Sequence, residues 1–194
     1  MADVVERQHA DDRHGKILDA VGELVVERGV HGVTTALVAR RARVAPGKFY
    51  ELFSDKYAVI QAAADRNLSR FFDALVEDLD GARDLDVAKL GRTTLEVWIE
   101  LCRRDPAFRV LRFRHAAAVQ SATGTDADAR LVSTWMQFVE QQFGLADTPE
   151  IRRAMTLAVK FALDPIEYAF ELDPQGDPEV LDQVRRVLDF HLAG

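Results

Sequence analysis

Apolar residues recur along this chain at the three- and four-residue intervals of amphipathic helices, punctuated by glycine, proline and short polar runs. Between Lys16 and Arg28 the positions Ile17, Leu18, Val21, Leu24 and Val25 fall on one stripe, and Gly29 is placed to end the helix. Thr34 can cap a short helix carrying Leu37, Val38 and Ala39. After a break around Arg43, Pro46 suits the first position of another short helix. A longer helix is predicted from Ser54 or Asp55, with Val59, Ile60, Ala63, Phe71 and Leu75 along one side, until Asp80 and Gly81 interrupt it. The same spacing predicts helices at about 85–104, 106–121, 127–143, 149–172 and 178–192. Asp164 and Pro165 fall inside the fourth of these, where the missing N–H is expected to bend or restart the helix. No strand is needed anywhere, so the fold class is all-α. Residues 1–15, polar and closed by Gly15, read as a loose arm.

Composition adds limits rather than a function. A chain of 194 residues that is 48% hydrophobic and 29% charged belongs with globular proteins. Cys102, the single cysteine, has no intrachain disulfide partner. No apolar run nears the ~18 residues of a membrane span, and the start MADVVERQHADDRHGK has no apolar core for a secretory signal. The expected compartment is therefore the cytoplasm, without a membrane partner. The net charge of −7 disfavours nucleic acid until it is divided by region. Residues 1–60 are balanced, with nine basic and nine acidic side chains, so the acidity lies downstream. Within 34–56, Arg40, Arg41, Arg43, Lys48 and Lys56 oppose only Glu51 and Asp55, a net +3. Phosphate binding responds to this local sign, because charges beyond roughly 10 Å are screened.

The stretch TTALVARRARVAPGKFYELFSDKYAVI has the division a helix-turn-helix requires. Val38, Ala42, Val44, Phe49 and Phe53 can form its inner face, leaving Arg40, Arg41, Lys48, Tyr50 and Lys56 outside. It closely resembles the DNA-binding signature of TetR-family regulators. The match is carried by Thr34, Val38-Ala39, Ala42-Arg43-Val44, Gly47-Lys48-Phe49-Tyr50, Phe53, Lys56 and Val59-Ile60. Two positions depart from that pattern: Arg43 stands where a turn glycine is usual, and Ala45 where a Ser or Thr cap is usual. The resemblance implies DNA contact by Lys48 and Tyr50, close backbone approach at Gly47, and phosphate contact by Lys56 and Thr34. Thr35, Arg43 and Pro46 complete the candidate interface, with Pro46 also starting its helix. The plainer readings are that Tyr50 packs on Phe53, that Lys56 is a solvated helix start, and that Arg40 and Arg41 are an ordinary exposed pair.

The resemblance also implies the organisation: the arm 1–15, an N-terminal three-helix DNA-binding domain over 16–60, and a helical ligand-binding and dimerisation domain over 61–194. Ten of the sixteen aromatics follow residue 97. Trp98, Phe113, His115, Trp135, Phe138 and Tyr168 are candidate effector contacts, with Glu100 and Gln120 as further polar groups. Aromatics at helical spacing equally fit a plain core. Met155, Leu157, Val159, Phe161 and Leu163, with Val180, Leu181, Val184, Val187 and Leu188, are expected to pair with a second copy. The resulting reading is a homodimeric regulator, a repressor by family habit, that occupies a palindromic double-stranded operator and is released by a small effector. A ligand-independent regulator is the near alternative. A helical enzyme is the distant one, since His9, His14, His31, His115 and His191 are scattered and Glu167 with Glu171 reads as a solvated acidic face. No metal, cofactor or catalytic residue is expected.

Overall fold

The computed structural model describes residues 2–79, 86–111, 127–144 and 146–192, the side chains of 2–11, 87, 127, 128, 130 and 192 apart. Helix α1 is Ala2–Arg28, followed by a 3-10 turn Val30–Gly32, α2 (Thr35–Ala42), α3 (Pro46–Leu52), α4 (Lys56–Leu79) and α5 (Val87–Arg104). A sixth helix, α6, begins at Pro106 and is described to residue 111. Then come α7 (Ala127–Phe143), α8 (Pro149–Leu172) and α9 (Pro178–Leu192). Among the described residues there is no strand. The chain divides into two compact units, Met1–Ser69 with Pro106–Ala122, and Arg70–Asp105 with Thr123–Gly194.

In the first unit, the stripe foreseen on α1 is the floor of a core that takes in Ile17, Val21, Leu24, Val38, Phe49 and Ile60. The chain is already helical from Ala2, so the arm expected over 1–15 begins as helix. No proline interrupts that stretch, and Gly15 alone costs an exposed helix only about 1 kcal/mol. Gly29 ends α1 at φ 66, its N–H bonded to the Val25 carbonyl at 3.0 Å. The packing unit runs on to Ser69, beyond the boundary at residue 60 expected from the sequence. It also includes α6, because Leu111 is buried in the same core and Ala107 lies against Gly22.

The second unit is built on the end of α4 with α5, α7, α8 and α9, and its interior includes Phe71, Leu75, Leu90, Trp98, Met136 and Ile166. Asp86 caps α5 by accepting the Lys89 N–H at 2.6 Å, and Thr148 caps α8 through the Ile151 N–H at 3.3 Å. α8 neither stops nor restarts at Pro165. The proline instead leaves the Phe161 carbonyl without an intrahelical donor. The α8–α9 turn depends on Gly176 at φ 82, where a Cβ would come within 2.8 Å of Leu181 Cδ1 and 3.1 Å of Phe170 Cζ. No described helix is long and apolar enough to cross a membrane.

Candidate nucleic-acid interface

The candidate interface follows from how two short helices are started and stopped. Thr34 sits in extended backbone before α2, and its hydroxyl accepts the Leu37 N–H at 3.2 Å. α2 ends at Arg43, which takes the left-handed conformation at φ 56, ψ 42, as expected for the place of a turn glycine. The following Val44 N–H bonds back to the Ala39 carbonyl at 2.9 Å, which reverses the chain sharply. Ala45 offers no side-chain cap to α3, and Pro46 supplies the preset first position.

This turn sets the faces of α3. Phe49 is buried at 0% exposure, edge-on to Tyr50 and tilted against Phe53, while Tyr50 stands 57% exposed. Val38, Ala42 and Phe53 are buried and Val44 half-buried, which is the inner face read from the sequence. Tyr50 does not stack on Phe53. Its ring meets Phe49 at 5.4 Å, and its hydroxyl lies 3.1 Å from the Thr35 hydroxyl. Phe53 is instead covered by the His14 ring at 5.2 Å. Lys48 is exposed and is paired with Glu51 at 2.8 Å. A Cβ on Gly47 would meet nothing within 4 Å, so the backbone there is open to close approach.

Lys56 opens α4 with its ammonium 5.1 Å over the Tyr57 ring. The cap of that helix is Asp55, whose Oδ1 accepts the Tyr57 and Ala58 N–H groups at 2.7 and 2.9 Å. The Ala58 N–H, with those of Tyr57 and the Ser54 hydroxyl, holds the Asp55 carboxyl below the usual carboxylate range. Arg40 and Arg43 are exposed. Arg41 is differently placed: its guanidinium grips Glu27 through two 2.8 Å bonds and Glu23 through another, all on α1. The hydrogen bond to Arg41 in turn lowers the Glu27 carboxyl below its ordinary range. Arg41 thus joins α2 to α1 instead of standing ready for phosphate.

A second feature lies within the second unit: a cavity of about 280 Å³. Trp98 and Trp135 line it. Phe138 packs instead on Phe72 at 4.7 Å, and Tyr168 is half exposed outside the lining. Phe113, His115 and Gln120 lie outside the described residues. Glu100 is paired with Arg104 at 2.6 Å. Sequence reasoning missed Phe71, Thr94 and Ala158. The available signal was alanine at 154, 158 and 162, small side chains one helical turn apart facing the space.

The expected pairing stripes need correction. Met155, Val159, Leu163 and Leu188 line the cavity, and Leu181 and Val184 are buried within the chain. From those stripes Leu157 and Phe161 of α8 and Val187 of α9 are exposed, and Tyr168 and Leu172 of α8 with Phe190 of α9 extend this apolar face. The four α8 residues are spaced to share one side of the helix, away from the cavity.

Comparison with known proteins agrees with this layout. Residues 17–63 match the family model described as bacterial regulatory proteins, tetR family, and residues 85–193 match the tetracyclin repressor-like C-terminal domain. The structure is similar to a TetR-family transcriptional regulator from Streptomyces coelicolor, with TM-score 0.79 and 27% identity over 93% of this chain and 98% of that one. It shares its fold with a TetR family transcription regulator from Marinobacter aquaeolei VT8, with TM-score 0.62 and 19% identity over 96% and 98% of the two chains. A stretch of 72 residues is 33% identical to the uncharacterised HTH-type transcriptional regulator YvdT of Bacillus subtilis (strain 168), covering 37% of each chain.

Proposed function

Because the chain belongs to the TetR family of bacterial regulatory proteins, we propose that it is a cytoplasmic homodimeric repressor that binds a palindromic operator and leaves it when a small effector binds. The observation that carries the DNA-binding reading is the division of α3, with Phe49 fully buried and Gly47, Lys48 and Tyr50 exposed around it. In this reading Lys48 and Tyr50 contact phosphates or base edges, and Lys56 and Thr34 hold phosphates on either flank. Thr35 fixes the Tyr50 hydroxyl. Pro46 starts the recognition helix, and Arg43 lies beside the phosphates at its entry.

One seven-residue helix makes too few contacts to select a site, whereas a twofold dimer reads two half-sites about one turn of DNA apart. The exposed apolar face of α8 and α9 supports such a dimer. The cavity favours an effector over ligand-independent regulation. Release requires that effector to prefer the non-binding arrangement, by about 5.5 kcal/mol for a near-complete switch.

Selection of bound sequences from random duplex DNA tests the reading. The expected outcome is an enriched palindrome whose affinity drops at least tenfold in Lys48→Ala and measurably in Tyr50→Phe. Absence of enrichment at low salt refutes it.

A further inference from the structure

Resting on the effector reading just given, we propose that the cavity of the second unit takes an uncharged, hydrocarbon-rich molecule of about ten to fifteen non-hydrogen atoms and discriminates against an anion of the same shape. Among the described lining residues only Thr94, Glu150 and the two tryptophans carry a side-chain nitrogen or oxygen. The Thr94 hydroxyl donates to the Leu90 carbonyl at 2.7 Å and accepts from Trp135 Nε1 at 3.4 Å, so the Thr94 and Trp135 polar groups are already engaged. A polar ligand atom set against Thr94 or Trp135 would trade water for hydrocarbon and gain little in return. No lysine, arginine or histidine is among the described lining residues. A carboxylate entering would therefore lose its hydration with no cation among the described lining residues to compensate. A cation gains little from Glu150, which is exposed to solvent in the first turn of α8.

Size follows from volume. An apolar cavity of ~150 Å³ holds a benzene, and the space here is about 280 Å³. The alanines at 154, 158 and 162 create this room, since a larger side chain at any of them would project into it.

The chain's two tryptophans both line the cavity, so entry of a ligand is visible in their fluorescence. Decanol, decanoate and decylammonium, titrated below micellar concentration into the full-length protein at pH 8, separate the three charge classes. Decanol is expected to shift the emission and raise the melting temperature, with an affinity at least tenfold above those of decanoate and decylammonium. Ala158→Phe and Ala162→Leu should each weaken decanol tenfold or more while retaining the helical circular dichroism. Should either filled variant fail to fold, Trp98→Phe and Trp135→Phe localise the ligand without filling the space, because the remaining indole in each must still respond to decanol. Equal or tighter binding of either ion, no response to any of the three, or an indole that does not respond overturns the proposal. Operator affinity measured in parallel keeps the readings apart: decanol binding that leaves it unchanged supports this ligand class and refutes the release step.

Discussion

Arg43 and Asp55 bracket the candidate DNA-facing helix, and each carries a measurable cost or gain. Arg43 holds φ 56 with a full side chain, a conformation that penalises any residue with a Cβ. Arg43→Gly removes that penalty and raises the unfolded chain's entropy, so the net gain is about 0.5 kcal/mol. Thermal melting should show a rise of roughly 1 to 2 °C. Asp55→Ala, by contrast, removes the cap of α4 and should cost about 1 kcal/mol in urea denaturation at pH 7. Because folding lowers the Asp55 pKa, the folded chain binds fewer protons there than the unfolded one. Its stabilising effect is complete above the ordinary carboxylate range near 4 and is lost as pH falls through the depressed folded value. The gap between wild type and Asp55→Ala should therefore narrow when the denaturation is repeated toward pH 3.

Among the helices, the turn between α8 and α9 has the least tolerance. Gly176→Ala combines a positive φ with a Cβ pressed on Leu181 and Phe170, and a loss of about 2 kcal/mol is expected by denaturant midpoint. The starts of α8 and α9 were legible in the sequence because Pro149 and Pro178 mark them. Which of their stripes faces what was not legible. α8 carries two apolar sides, one on the cavity and one exposed, and a periodicity alone does not tell which neighbour covers either. The role of Arg41 was hidden for a related reason: its partners Glu23 and Glu27 lie on another helix, and only the packing of α1 against α2 brings them together. The inner face of the helix-turn-helix was fully legible, since local spacing and capping determine it.

For the whole molecule, the exposed α8 and α9 face is where self-association is to be tested. Phe161 and Phe190 are 54% and 85% exposed, so replacing both with glutamate should leave the monomer's melting temperature nearly unchanged. Sedimentation should then show a monomer at micromolar concentration, with operator affinity reduced at least tenfold. Occupation of Arg41 by Glu23 and Glu27 has its own consequence for how tightly a dimer clings to DNA as salt is added. Each basic side chain seated on a phosphate releases condensed counterions, and the logarithm of affinity falls with the logarithm of salt by about 0.9 per phosphate. If all five basic residues between 34 and 56 took part in both subunits, the slope from this segment would be about −9. With Arg41 committed to α1 it is nearer −7, and Arg41→Ala should destabilise the fold while leaving that slope where it was.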